Sequence, residues 1–167
     1  MVNITINNQP IQVPKDTTIL QASRQLGIHV PTLCHLELDC FEVEHRMGSC
    51  RVCVVEVEGR PNLAPACCTP VMEGMVVHTN SIRAINGRRT VLDLILSDHP
   101  KDCLTCAKNG NCELQNLAAD LGLHHVLYEG EMSEYPLDNA NEAIVRDLDK
   151  CIMCRRCETA CNEVQTV

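Results

Sequence analysis

Eleven of the thirteen cysteines of this 167-residue chain fall into three groups with short internal spacings. They are Cys34-x15-Cys50-x2-Cys53-x13-Cys67, then His99-x3-Cys103-x2-Cys106-x5-Cys112 with one imidazole, and finally Cys151-x2-Cys154-x2-Cys157-x3-Cys161. A chain built this way folds around whatever its thiols hold, because little else is available to staple small lobes. Aromatic residues make up 2% of it, there is no tryptophan, and Phe41, Tyr128 and Tyr135 are the only large rings. A lobe of fewer than about 70–80 residues seldom holds together on an aliphatic core alone and needs disulfides or metals.

Disulfides are the plain alternative for many cysteines. The N-terminus, Met-Val-Asn-Ile-Thr-Ile-Asn-Asn, has neither the basic stretch nor the apolar run of a secretory signal. The cysteine count is odd, and close C-x2-C spacing without an export signal points to metal binding in a reducing compartment. The sequence therefore predicts a cytoplasmic protein, with no run long enough to span a bilayer. Its formal net charge of -8 and pI near 5.3 exclude a nucleic-acid partner, since phosphates would be repelled.

The predicted class is α+β, in four segments. Residues 1–79 read as strands, a helix and a cysteine-rich loop. Val2, Ile4 and Ile6 alternate with polar residues, Ile11 and Val13 resume the alternation, and the intervening Asn-Asn-Gln-Pro signals a hairpin. Asp16 or Thr17 is placed to cap a helix carrying Ile19, Ala22, Ser23 and Leu26, with Gly27 ending it. A strand follows from Val52 to Val57. Residues 80–127 form a small helical domain, entered through Ser81 as N-cap and interrupted by Gly87, with His99 just past the end of the first helix and Cys112 opening the next. Residues 128–144 are an acidic, turn-rich connector, and residues 145–167 begin a further unit.

Four thiolates suffice to hold two irons with bridging sulfides in tetrahedral sulfur coordination, which assigns Cys34, Cys50, Cys53 and Cys67 to one centre. Cys40 and Cys68 compete for those places, and Cys67 is preferred over Cys68. In the second group, an imidazole at a helix end is ordinarily a dipole partner. Joined to Cys103, Cys106 and Cys112, His99 is better read as a ligand to a 4Fe-4S cluster. Exchanging a thiolate for neutral imidazole removes one negative charge and raises the reduction potential. In the third spacing, three cysteines bind one cubane and the fourth turns to a neighbouring cluster. No second such run follows, so the chain is a fragment, a partner completes the site, or Cys161 closes a lone cluster. Zinc is the alternative metal throughout, but it favours paired short knuckles over three-thiol runs.

On these residues, together with Pro31-Thr32-Leu33-Cys34, Gly48-Ser49-Cys50-Arg51-Val52-Cys53, Ala66-Cys67-Cys68-Thr69-Pro70 and Cys151 through Val167, the chain resembles the N-terminal electron-transfer region of iron-only hydrogenases and of the large iron-sulfur subunit of respiratory complex I. Its last seven residues lean toward the hydrogenases. The resemblance implies a β-grasp 2Fe-2S ferredoxin domain on Cys34, Cys50, Cys53 and Cys67. It implies a helical 4Fe-4S domain on His99, Cys103, Cys106 and Cys112, and the start of a bacterial ferredoxin-like domain at Cys151, Cys154 and Cys157. The loop from Cys34 to Cys50 is longer than in simple hydrogenases, and the hydrogen-activating domain is absent.

The sequence holds no nucleophile-base constellation and no phosphate-cradling glycine loop. The leading expectation is a one-electron relay between a flavin or NAD(P)-binding partner and another iron-sulfur or hydrogenase subunit. A fragment of a catalytic iron-only hydrogenase subunit and a zinc-stapled scaffold without redox function are the rivals.

Overall fold

The computed structural model describes residues 1–166; Val167, the last residue of the expected third unit, lies outside them. Two compact units are formed. One comprises Met1–Arg88 with the segment that begins at Cys154, the other Arg89–Met153.

In the first unit, β1 (Val2–Ile6) and β2 (Gln9–Val13) form the expected hairpin, with Val2 opposite Val13 and Ile6 opposite Gln9. The turn is tighter than the sequence suggested. Asn7 and Asn8 both take positive φ, 48° and 66°, the backbone of a two-residue turn whose twist matches that of the strands. Pro10 is thereby drawn into β2, which is tolerated because β2 is an edge strand.

Helix α1 (Ile19–Gln25) is capped by Thr18, one residue beyond the expected positions. Gln21 N–H donates to the Thr18 hydroxyl at 3.2 Å, and Thr18 N–H to the Gln21 side chain at 2.9 Å, so two otherwise orphaned donors are satisfied reciprocally. Gly27 ends the helix at φ 71°. Strands β3 (Leu36–Leu38) and β4 (Val43–His45) form a separate hairpin that the sequence did not announce. Strands β5 (Val54–Val57), β6 (Ala64–Pro65) and β7 (Val76–His78) complete a five-stranded sheet of order β2-β1-β7-β5-β6, in which only β1 and β7 run parallel.

Ile19, Leu20 and Ala22 of α1 lie in one buried cluster with Val2, Ile4, Ile6, Val13, Val55, Val57 and Val77. Each large aliphatic side chain so buried contributes about 1.5–3 kcal/mol, and this aliphatic core needs no aromatic ring. Cys53 and Cys67 belong to the same cluster, so the sheet and the cysteine loops share one interior.

Helix α2 (Ile82–Ser97) begins as expected, with Ala84 N–H donating to the Ser81 hydroxyl at 3.1 Å. It continues through Gly87 without a break. That glycine serves close approach instead, because a Cβ there would stand 2.5 Å from Leu63 Cδ1. In the second unit Cys112 is the N-cap residue of α3 (Glu113–Asp120), which buries Leu114 and Leu117. Buried Asp93 accepts the Leu127 N–H at 3.0 Å, and Arg89 Nε donates to the Leu121 carbonyl at 2.8 Å. The connector has its own ties: Asp98 accepts the Ser133 amide and hydroxyl at 2.7 and 2.9 Å, and Asp138 pairs with Arg146. Helix α4 (Arg156–Thr159) runs on into a π-helical turn at Ala160–Gln165. Among the described residues no helix is long and apolar enough to cross a membrane.

Candidate metal centres

Cys34, Cys50, Cys53 and Cys67 come from three different loops into a row of paired contacts, Cys50 with Cys34, Cys34 with Cys67 and Cys67 with Cys53. Cys34 follows α1, Cys50 and Cys53 lie between β4 and β5, and Cys67 follows β6. All four are buried, at 1%, 6%, 1% and 1% exposure. The thiol of Cys50, and then that of Cys67, donates to Cys34 and holds it far below the ordinary thiol range against the effect of burial. Cys67 likewise pulls Cys53 down to about 7. The two donors move up in turn, Cys50 through its bond to Cys34 and then burial, Cys67 through its bonds to Cys34 and Cys53. Hydrogen bonds thus link the four sulfurs in the order Cys50, Cys34, Cys67, Cys53, and the backbone amides of Ser49 and Cys50 favour the charged form of Cys34 as those of Ala66 and Cys67 favour that of Cys53. Buried sulfur without another acceptor is the donor set a thiophilic metal centre requires.

The loop around them is shaped by backbone. Gly48 has φ 63° and Arg51 φ 59°, and a Cβ on Gly48 would lie 2.8 Å from Cys68 Sγ. Cys68 is half-buried, directs its sulfur to the Pro65 carbonyl at 3.9 Å, and stays outside the shared network. Cys40 is exposed in the turn between β3 and β4.

The second group is assembled at the junction of α2 and α3. His99 follows α2, Cys103 opens a single turn at Cys103–Thr105, and Cys112 caps α3. His99, Cys103, Cys106 and Cys112 together line a cavity of about 20 Å³, and three of them also line an adjoining one of about 390 Å³. His99 Nδ1 lies 3.0 Å from the Pro100 carbonyl. A carbonyl only accepts, so Nδ1 carries a proton, and in the neutral ring Nε2 is the nitrogen whose lone pair can bind a metal. Lys108 N–H points to Cys106 Sγ at 3.5 Å, and Gln115 braces the loop through Gly110 and Asn109.

Of the third group, Cys151 ends a turn at Leu148–Lys150, Cys157 lies in α4 and Cys161 in the π-helical turn. Cys151, Cys157 and Cys161 are exposed and Cys154 is half-buried. Met153 and Arg155 take left-handed conformations, with φ 53° and 61°, at the bends between the first three cysteines.

Sequence reasoning overlooked the polar group built on the β3–β4 hairpin. Buried His35 faces Glu37 at 2.9 Å and Glu44 at 3.9 Å. Glu37 also pairs with Arg24 and Glu44 with Arg46, so each carboxylate already has a guanidinium, while the second oxygen of Glu44 is buried without a hydrogen bond. Burial raises the Glu37 pKa, but the bonds from His35 and Arg24 outweigh it and the net shift is downward. The opposite ring nitrogen of His35 meets the His45 carbonyl at 3.2 Å. The period-2 signal for these two three-residue strands is too short to read beside the cysteines.

Four convergent buried thiols, followed by a loop of three thiols and an imidazole, define a multicentre iron-sulfur protein. Comparison with known proteins agrees on the class. The family described as 2Fe-2S iron-sulfur cluster binding domain matches residues 1–82, and that described as NADH-ubiquinone oxidoreductase-G iron-sulfur binding region matches residues 88–126. The chain is 59% identical over 167 residues to NADP-reducing hydrogenase subunit HndD of Solidesulfovibrio fructosivorans, covering 99% of this chain and 28% of that protein. It is 34% identical over 171 residues to the NADH-ubiquinone oxidoreductase 75 kDa subunit of Reclinomonas americana, covering 100% of this chain and 23% of that protein. Among solved structures, an NAD+-reducing [NiFe]-hydrogenase in the H2-reduced state superimposes with a TM-score of 0.85 at 28% identity, over 96% of this chain and 65% of that one. The chain thus carries two iron-sulfur binding regions and is similar in sequence to parts of an NADP-reducing hydrogenase subunit and of an NADH-ubiquinone oxidoreductase subunit. It spans less than a third of the length of these two relatives.

Proposed function

We propose that this chain is a one-electron relay between a flavin or NAD(P)-binding partner and another iron-sulfur or hydrogenase subunit. The observation that carries this is the set of four buried, mutually hydrogen-bonded thiols Cys34, Cys50, Cys53 and Cys67, in a chain that also gathers His99, Cys103, Cys106 and Cys112 around one small cavity. Cys34, Cys50, Cys53 and Cys67 hold a 2Fe-2S cluster in a β-grasp ferredoxin domain. His99, Cys103, Cys106 and Cys112 hold a 4Fe-4S cluster in the small helical domain. Cys151, Cys154 and Cys157 begin a bacterial ferredoxin-like site, in which Cys161 closes the set or turns to a neighbour. Bound at these places, the clusters supply reversible one-electron chemistry.

The polypeptide contributes burial, which keeps water from the first centre, and amides directed at sulfur, which stabilise its thiolates. In the second centre the Pro100 carbonyl fixes the His99 tautomer and presents Nε2 as a neutral ligand. So many exposed thiols in the remaining group suit the reducing interior of a cell.

Iron and sulfide content of anaerobically prepared protein tests the reading. About six irons per chain correspond to two clusters and about ten to three, by addition over cluster types. Zinc without iron or sulfide, in a protein lacking any reducible signal, would reject the relay in favour of a metal-stapled scaffold. A second reading is favoured by the 59% identity to a hydrogenase subunit of which this chain spans 28%. In it, these residues serve as the electron-transfer part of a longer hydrogen-converting polypeptide, which the mass and hydrogen-dependent activity of the native gene product would reveal.

A further inference from the structure

Arg88 is 3% exposed, a position arginine rarely takes unless its charge is balanced. Its Nε donates to the Val54 carbonyl at 3.0 Å and its Nη2 to the Thr79 carbonyl at 2.8 Å. Both acceptors are neutral. Among the described residues no carboxylate lies within 4.0 Å of the guanidinium, in contrast to Arg24, Arg46 and Arg83 of the same unit. The hydrogen bond to Val54 ties the cation to the residue that follows Cys53 directly in sequence. Burial pushes the Arg88 pKa down, and the Cys53 thiolate is the anion that opposes this.

We propose that Arg88 is the fixed counter-charge of the first centre and raises the reduction potential of the 2Fe-2S cluster held by Cys34, Cys50, Cys53 and Cys67. This rests on the cluster assignment above and adds to it a residue that is not a ligand. Reduction brings in one electron from the flavin or NAD(P)-linked donor and no proton, turning a dianionic four-thiolate unit into a trianion. No bond is made or broken, and oxidation returns the same electron to the acceptor. A buried cation stabilises the more negative state more, and the low-dielectric surroundings leave that interaction largely unscreened by salt. Arg88 therefore acts through charge, whereas its two hydrogen bonds also give it an architectural role that a test must separate.

The experiment compares R88Q, which keeps amide donors and removes the charge, with R88K, which keeps the charge. Redox titration of the full chain is followed by the electron paramagnetic resonance of the reduced 2Fe-2S centre. At the wild-type midpoint, the ratio of reduced to oxidised centre is expected to fall about three- to tenfold in R88Q, tenfold being 59 mV for a one-electron couple. R88K is expected to remain within about twofold of wild type. The difference between R88Q and wild type should persist at high salt. An R88Q ratio within about twofold of wild type, or equal displacement in both variants, overturns the proposal. If only R88K loads, with a wild-type potential, the requirement for charge is upheld; if neither folds, Arg88 is architectural and the proposal fails. Absence of a 2Fe-2S signal in the wild-type chain would defeat the cluster assignment itself.

Discussion

His45 Nε2 lies 3.0 Å from the carbonyl of Cys154, a contact between residues 109 positions apart in the chain. The other ring nitrogen of His45 meets the Thr159 hydroxyl, and the residue is 2% exposed. A carbonyl can only accept, so Nε2 donates to it, and Nδ1 shares a hydrogen bond with the hydroxyl, which gives both ring nitrogens a partner. Arg156 adds a bond to the His35 carbonyl at 2.9 Å. The β3–β4 hairpin, which accounts for the length of the Cys34–Cys50 loop, is therefore the surface that holds the segment after Cys154.

His45→Ala should release that segment. Removing the ring takes away the partner of two half-buried polar groups, at a cost of up to about 1 kcal/mol each because water can reach them. Hydrogen exchange should quicken by at least tenfold at residues 154–159, while the absorption of the 2Fe-2S centre stays unchanged. Equal protection in variant and wild type would show that the hairpin does not anchor it.

The choice between adjacent thiols can be tested directly. Cys67→Ser should abolish the 2Fe-2S signal, because Cys67 shares the network with Cys34 and Cys53. Cys68→Ser and Cys40→Ser should leave it intact, since Cys68 points to the Pro65 carbonyl and Cys40 is exposed. Visible absorption and iron content of the three variants provide the comparison.

His99→Ala should remove or convert the 4Fe-4S signal of the second centre and leave the 2Fe-2S resonance as it is. His99→Cys should restore a cubane with a lower potential, because a thiolate adds a negative charge where the imidazole was neutral. A 4Fe-4S spectrum unaffected by the alanine would reduce His99 to a helix-end group.

Gly48→Ala meets two obstacles at once. Its φ of 63° costs an L residue about 1–2 kcal/mol, and the new methyl would press on Cys68 Sγ at 2.8 Å. Denaturant unfolding should show the loss of stability, and adding Cys68→Ala should recover the part due to contact.

Asp98 supplies a pH dependence. The Ser133 amide and then its hydroxyl lower the Asp98 pKa in the folded state. The sign follows from a carboxyl whose pKa is depressed by folding: its stabilisation is present above the unfolded value of about 3.9 and is lost as pH falls through the lowered folded value. The Ser133 amide resonance should shift with acid below that range, and Asp98→Asn should flatten the response.

The local and compositional features were readable from the chain alone. Hydrophobic alternation marked β1 and β2, Ser81 marked the start of α2, and cysteine spacing delimited three candidate ligand sets, because these signals involve residues close in sequence. Cap and boundary positions shifted by a residue or more where competing side chains, such as Thr17 and Thr18, offered similar chemistry and only the capping-box partner Gln21 decided. What folding in three dimensions alone decided was long-range. Gly87 gives Leu63 room instead of breaking a helix, Arg88 is buried with no carboxylate within 4.0 Å among the described residues, and His45 reaches Cys154. These outcomes depend on which side chains the sheet and loops bring within a few ångströms, and sequence separation carries no record of that.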